Sequence, residues 1–76
     1  MTGKEIKYDR HARRRMKWRM ISQAEVELTL AEPDKTETAV EGRKNAFKVI
    51  GNRHIKVTYR ELKDEILIIS AVDKSD

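Results

Sequence analysis

The side chains best suited to chemistry lie in one short segment near the start of the chain. It contains His11, Trp18 and a dense run of cations, namely Arg10, Arg13, Arg14, Arg15, Lys17 and Arg19. Histidine is the side chain whose ordinary pKa, about 6.5, suits proton transfer near neutral pH. Arginine and lysine stabilise the charge of phosphate groups. The segment therefore has the residue types needed to bind a phosphodiester and to transfer a proton beside it.

A second set of polar side chains follows from strand alternation over residues 54–60. One face of this predicted strand is apolar, and the other carries His54, Lys56 and Arg60. A solvated sheet face is the structural interpretation of this polar set. The functional interpretation is a second group of phosphate contacts, placed by the fold beside the first.

RNA cleavage is the reaction that these residue types could catalyse without a metal ion, because RNA carries its own nucleophile, the 2′-hydroxyl. The protein has to align that hydroxyl, stabilise the phosphorane charge and protonate the leaving oxygen. We predict His11 as the acid or base; the residues predicted to stabilise phosphate charge are Arg15, Lys56 and Arg60. The predicted nucleic-acid contacts are Arg10, Arg13, Arg14, Lys17, Arg19 and His54.

Each of these residues also has a structural interpretation. His11 could pack or hydrogen-bond near the first strand, and Trp18 could line the core margin instead of stacking on a base. The residues that a metal site would need are not present in the required pattern. There are two histidines, no cysteine and no HExxH spacing, so no metal site is predicted. Ser22 is better explained as a helix cap than as a nucleophile. No glycine-rich phosphate loop exists, and no cofactor is predicted.

Length and composition limit the class of protein. A chain of 76 residues, 39% of them charged and none of them cysteine, predicts one domain over residues 1–76 with a thin core and no disulfide scaffold. No apolar run approaches the roughly 20 residues of a membrane span, and no signal-peptide pattern opens the chain. We therefore expect a small, basic, soluble cytoplasmic domain with no membrane or metal partner.

The net charge of +4 is arranged in blocks along the chain. Residues 4–19 carry a net +6 and residues 43–60 carry another +6, while residues 20–42 carry −5 and residues 61–76 carry −3. If the two basic blocks form one face, that face would attract RNA, alone or on the ribosome. The alternative is a solvated surface on which opposite blocks neutralise each other.

Two helices are predicted to precede a sheet. Asp9 suits a helix N-cap, and an apolar stripe recurs every four residues over 10–20. Ser22 and Glu25 form a capping-box pattern that begins a second helix over 22–31, which Pro33 cannot continue. Apolar residues also alternate over 24–30, which is typical of a strand, so the two assignments compete there.

The later half of the chain is rich in β-branched residues and predicts strands. We expect an edge strand over 36–41, a strand over 46–50, a hairpin turn at Gly51 and Asn52, and strands over 54–60 and 66–69. With a short strand over 6–8, the pattern predicts an α+β fold, with two helices on one face of a three- or four-stranded antiparallel sheet. The residues predicted to be largely buried are Met16, Leu28, Phe47, Val49, Ile55, Val57 and Ile68.

The run from His11 to Ser22 resembles H-A-x-x-R-M-x-x-R-x-I-S, the opening signature of a small prokaryotic family described as a domain of unknown function. His11, Arg15, Met16 and Arg19 occupy signature positions whose roles are unassigned in that family. Met20 stands where the family often has glycine.

That family is similar to the RelE/ParE toxin superfamily, which packs a helical hairpin on an antiparallel sheet. RelE-like members cleave mRNA without a metal, whereas ParE-like members poison gyrase. The resemblance implies a toxin-type role, with RNA or the ribosome as target and a small acidic antitoxin-like protein as partner. The chain departs from that superfamily in residues 73–76, which hold no Arg, His or Tyr.

Two functional hypotheses follow. The first is a RelE/ParE-like domain that binds RNA and, in its enzymatic form, cleaves it without a metal. The second is a non-enzymatic interaction or adaptor domain in which His11, Arg15 and Arg19 are structural. In that case we expect an ion pair from Arg15 or Arg19 to Glu25 or Glu27 of the second helix.

Overall fold

The structure of the protein, a computed structural model, describes residues 4–74 and has the predicted α+β class. The two helices and five strands, in chain order, are β1 Glu5–Tyr8, α1 Arg10–Trp18, α2 Gln23–Ala31, β2 Lys35–Thr38, β3 Arg43–Ile50, β4 Arg53–Glu61 and β5 Glu65–Asp73. A turn of 3₁₀ helix at Val40–Gly42 joins β2 to β3.

The strands form one sheet in the order β1-β5-β4-β3-β2. From β2 to β5 the strands are antiparallel neighbours, and β3 and β4 are joined by the two-residue turn at Gly51 and Asn52. Gly51 has a φ of 62°, a conformation that costs glycine little. β1 joins the far edge in parallel with β5, with Ile6 opposite Ile66.

Both helices lie on one face of this sheet and share one core. Ala12 and Met16 of α1 and Val26 of α2 are buried against the residues of β4 and β5 that share this face, across an irregularity that shifts the β4–β5 register after Thr58. Those strand residues are Ile55, Val57, Ile66, Ile68 and Ala71. The opposite face of the sheet, called the open face below, carries no helix among residues 4–74.

The predicted strand count and helix placement were wrong. The sheet has five strands, not three or four, and is not wholly antiparallel, because residues 5–8 pair with β5 rather than standing apart. The first helix ends at Trp18 instead of residue 20, and the second begins at Gln23. Residues 24–30 are helical, so the competing strand assignment is excluded.

Three predicted core residues were also wrong. Leu28 is 39% exposed because α2 turns Val26 and Thr29 toward the sheet. Ala46 lies opposite Val57 on the helix-covered face, so alternation directs its neighbour Phe47 to the open face. Val49 follows the same alternation and is 52% exposed. The burial of Met16, Ile55, Val57 and Ile68 is confirmed.

Candidate functional site

Helix α1 is fixed to the sheet by one narrow stripe. The Asp9 side chain accepts a hydrogen bond from the His11 backbone N–H at 2.8 Å, which caps the first turn. Ala12 and Met16, four residues apart, are buried against β5. Since only these two of the nine helical residues are buried, the rest of α1 faces solvent.

The end of α1 is a left-handed turn stabilised by the backbone. Met20 has a φ of 58°, and the Ile21 N–H donates to the Met16 carbonyl at 2.8 Å. The Met20 N–H donates to the Lys17 carbonyl at 3.3 Å, which completes a Schellman motif. Ile21 is buried beside Met16, as that motif favours. A glycine at position 20 would adopt this left-handed conformation at a lower cost than methionine does.

Arg53 holds the bend between the helices. Its guanidinium donates to the carbonyls of Arg19 and Met20, both at 3.0 Å. It also lies 3.1 Å from Glu25 Oε2 and 3.3 Å from Asp73 Oδ2. One side chain on β4 thus connects the end of α1, the first turn of α2 and the end of β5.

The exposed surface of α1 is rich in cations, and none of them is ion-paired among residues 4–74. Every ion pair formed among residues 4–74 lies outside α1. Cations three and four residues apart on a helix repel each other. The residues that make up this surface, called the α1 surface below, are Arg10, His11, Arg13, Arg14, Arg15, Lys17, Trp18 and Arg19.

His11, Arg15 and Trp18 lie along one side of the α1 surface, because they are spaced by four and three residues. The His11 side chain is exposed, and no hydrogen bond to it is present among the described residues. Trp18 is 84% exposed, so it is not part of the core margin. A flat aromatic ring beside cations is the arrangement that single-stranded nucleic acids bind.

Arg13 and Tyr8 connect the α1 surface to the acidic helix behind it. The Arg13 guanidinium lies 6.0 Å from the centroid of the Tyr8 ring. The Tyr8 hydroxyl donates to Glu27 Oε2 at 3.5 Å, and burial, followed by the nearby Glu27 carboxylate, raises the pKa of Tyr8. Tyr8 therefore stays protonated at neutral pH and separates the charges of Glu27 and Arg13.

The predicted site residues fall into two groups on opposite sides of the sheet. Lys56 and Arg60 alternate with Ile55 and Val57, which face the helices, so their side chains lie on the open face with that of His54. The α1 surface lies on the helix-covered side. The fold therefore groups His11 with Arg15 and Lys56 with Arg60, but it does not bring the two groups together.

A family model described as a domain of unknown function, DUF4258, matches residues 8–73. The chain belongs to this family. The match includes α1, the bend held by Arg53 and β2 through β5. Searches of curated proteins and of solved structures found no match. The resemblance to a family of unknown function is thereby confirmed, and the similarity to RelE/ParE toxins stays a prediction.

Among residues 4–74, no three His, Cys, Asp or Glu side chains are grouped so that they could bind a metal ion. Neither described helix has the length and apolar character needed to cross a bilayer.

Arg53 is the site residue that the sequence interpretation missed. The expected ion pair from Arg15 or Arg19 to the second helix is not formed, because Glu25 pairs with Arg53 and Glu27 accepts from Tyr8. The alternation of β4 contained the signal: Arg53 is two residues before Ile55, so it falls on the face that meets the helices. A charge on a core-facing position requires a partner there.

Proposed function

We propose that this DUF4258 domain binds single-stranded RNA through the α1 surface, in keeping with the toxin-type role suggested by its resemblance. One observation carries the proposal. The α1 surface exposes six cations, and none of them forms an ion pair among residues 4–74. The stripe of α1 that packs on the sheet needs only Ala12 and Met16. Phosphates would supply the missing counter-charge.

Trp18 supports single-stranded RNA as the ligand. Bases in a duplex are already stacked, whereas unpaired bases stack on exposed aromatic rings. The ring of Trp18 is 84% exposed and lies one turn from Arg14 and Arg15. Cations on the phosphates and a ring under a base together make the combination used by proteins that bind single strands.

The binding test compares two variants with the same change in charge. The first replaces Arg13, Arg14 and Lys17 with glutamine on the α1 surface. The second replaces Arg43, Lys56 and Arg60 with glutamine on the open face. Anisotropy of a fluorescent single-stranded 20-mer RNA, measured over a series of salt concentrations, gives the affinity and its salt slope.

We expect the α1 variant to bind roughly 100-fold more weakly at 0.1 M salt and to lose about 2 from the log–log slope, since each phosphate contact to a single strand contributes roughly 0.7. The open-face variant should bind almost as the wild type does. Equal losses in both variants would show diffuse charge attraction and contradict the proposed interface. Far-UV circular dichroism of both variants checks that α1 remains folded.

Replacing Trp18 with alanine separates stacking from charge. The affinity for single-stranded RNA should fall by roughly 1–3 kcal/mol, with the salt slope unchanged, because stacking releases no counterions. Affinity for duplex RNA of the same sequence should not change. A Trp18→Ala variant that binds both RNAs as the wild type does would exclude the stacking role.

The enzymatic form of the proposal rests on His11 and Arg15, because Lys56 and Arg60 lie on the other sheet face. Wild-type protein is incubated with a single-stranded RNA and with ribosomes carrying mRNA, and the products are mapped at nucleotide resolution. If cleavage occurs, His11→Gln should abolish it while leaving RNA affinity and folding nearly intact. Cleavage that persists in His11→Gln would assign His11 a structural role, and wild-type protein that cleaves neither substrate would leave binding as the function.

A further inference from the structure

The last strand has apolar side chains on both of its faces. Ile66, Ile68 and Ala71 are buried beneath the helices. Leu67 pairs with Arg60, and Val72 pairs with Lys56, so both lie on the open face. A strand that is apolar on both faces is typical of a sheet covered on both sides, yet the described helices cover only one.

Strand β3, which β4 separates from β5, adds two further apolar side chains to the open face. Phe47 lies in the same cross-strand row as Lys56 and Val72, and Val49 follows two residues later on the same face. Phe47, Leu67 and Val72 are each partly exposed, and Val49 is 52% exposed. In an antiparallel sheet with one solvated face, these positions are ordinarily polar. The open face therefore has apolar side chains on both sides of Lys56, a mixture of apolar and charged groups that is typical of an interaction surface.

Cations outnumber carboxylates on the open face. Its carboxylates are Glu5, Glu37 and Glu65, and the first two of them already pair with Lys7 and Lys35. Arg43 lies directly opposite Arg60, and Lys56 lies four residues before Arg60 on β4. None of these three cations forms an ion pair among residues 4–74. Like charges placed opposite each other across two strands are destabilising. This arrangement favours a ligand that brings negative charge to β3 and β4.

A depression lies at one end of the open face. Its volume is about 200 Å³, and it is lined in part by Phe47, Val49 and His54. The Asp34 carboxylate at its rim is already occupied, since it accepts from the Val49 N–H at 2.8 Å and pairs with Lys48 at 3.7 Å. The space suits one large apolar side chain of a partner.

We propose that the open face binds an acidic amphipathic segment of a partner protein. The apolar side chains of that segment would lie on Phe47, Leu67 and Val72, and its carboxylates would pair with the three unpaired cations. This surface is distinct from the α1 surface and lies on the other side of the sheet, so a partner bound there would leave α1 free.

Two other occupants fit this face less well. A second copy bound face to face would bring the same three unpaired cations from both chains into one interface, because both chains contribute the same surface, and their repulsion would oppose binding. RNA would find only the small ring of His54 exposed among the described residues of this face, since the Lys35 ammonium lies 5.6 Å from the centroid of the Phe47 ring and the apolar side chains around it are aliphatic.

The test selects ligands without assuming a sequence. A phage library of random 16-residue peptides is selected against the full chain, and one enriched peptide is synthesised. We expect enriched peptides to combine acidic and apolar residues at regular spacing. In NMR titrations, the peptide should shift the amides of Phe47, Leu67 and Val72 and leave those of α1 unchanged.

A charge reversal makes the test specific. Lys56→Glu with Arg60→Glu should weaken the selected peptide by at least about tenfold, and a fresh selection on this variant should enrich basic peptides instead. Leu67→Ser should also weaken binding. The Gln variant at Arg13, Arg14 and Lys17 is the control that should bind the peptide as the wild type does.

Several outcomes would overturn the proposal: no enrichment, enriched peptides without acidic residues, or amide shifts confined to α1. Sedimentation velocity that shows a dimer abolished by Leu67→Ser would assign the face to a second copy. If the charge-reversed variant loses as much RNA affinity as the α1 variant does, the open face would be assigned to nucleic acid.

Discussion

The two helices have the same length, nine residues, and use their charges in opposite ways. In α2, Glu25 accepts from the backbone of Ser22 and pairs with Arg53, and Glu27 accepts from Tyr8. In α1, the cations have no carboxylate partner among residues 4–74, and several repel their neighbours along the helix. The charges of α2 therefore hold neighbouring parts of the fold in place, whereas those of α1 are available to a ligand.

The bend between the helices explains why the cations of α1 do not pair with the carboxylates of α2. Arg53 pairs with Glu25 of α2 and donates to the last carbonyls of α1, so the carboxylate at the bend is already paired. The cations of the α1 surface therefore have no carboxylate partner among residues 4–74.

The largest expected effect is on stability, from replacing Arg53 with methionine. We expect a loss of about 3 kcal/mol, because a partly buried carboxylate and two helix-end carbonyls lose a charged donor together. Urea unfolding followed by circular dichroism measures the change.

Arg14→Met is the matched control, since it removes the same charge from the α1 surface. It should change the free energy of unfolding by less than about 0.5 kcal/mol. Equal losses of stability in the two variants would show that Arg14 contributes as much to the fold as Arg53 does, and the proposed difference between the two charges would then be wrong.

A smaller gain in stability is expected from Met20→Gly. Met20 has a φ of 58° and an exposed side chain, so glycine removes conformational strain and little packing. We expect about 0.5–1 kcal/mol of added stability after the greater entropy of glycine in the unfolded chain is included.

The control for Met20→Gly is Lys17→Gly, inside α1. It should destabilise the protein by roughly 1 kcal/mol, because glycine is a poor helix former. Thermal unfolding of both variants should therefore give shifts of opposite sign. A destabilised Met20→Gly variant would show that the methionine side chain contributes more than its exposure indicates.

The smallest effect is expected at the exposed ion pairs of Glu61. Lys4 and Lys44 donate hydrogen bonds to this carboxylate and hold the pKa of Glu61 below its ordinary value, while Glu61 raises the pKa of Lys44. Glu61→Gln should cost about 0.5 kcal/mol or less at pH 7, because exposed pairs are screened by water.

The pH dependence gives the sign of the Glu61 effect. The stabilisation is present above the ordinary pKa of the carboxyl and is lost as the pH falls through the lowered value. It is lost again as the pH rises through the raised pKa of Lys44. Urea unfolding of both proteins at pH 7 and at about pH 2.5 should show a difference only at pH 7. If the two proteins differ in their free energy of unfolding by the same amount at both pH values, the difference does not come from the charge of Glu61.

Much of the local structure could be predicted from the sequence. The capping box at Ser22 and Glu25, the hairpin turn at Gly51 and the alternation of Ile55 and Val57 are all present as expected. Each is determined by contacts within about four residues or by the two-residue period of a strand. The run of cations in α1 was equally visible, because it needs no tertiary information.

The sequence could not determine which groups would meet across the fold. A short strand over residues 6–8 was predicted, but so few residues cannot indicate a parallel partner. Its place in the sheet as a fifth strand, with Ile6 opposite Ile66, was therefore missed. Phe47 and Val49 were assigned to the core from hydrophobicity alone. Their faces follow from the register of β3 against β4, which sets Ala46 opposite Val57.

Residue types and spacing by themselves determined a basic helix, an acidic capped helix and an alternating β-rich half. Only the tertiary structure decided that His11 and Arg15 lie on one side of the sheet and Lys56 and Arg60 on the other. The reason is geometric: alternation fixes which strand residues share a face, but the face that the helices cover depends on long-range packing. The same packing sets Arg53 at the bend and leaves Leu67 and Val72 uncovered.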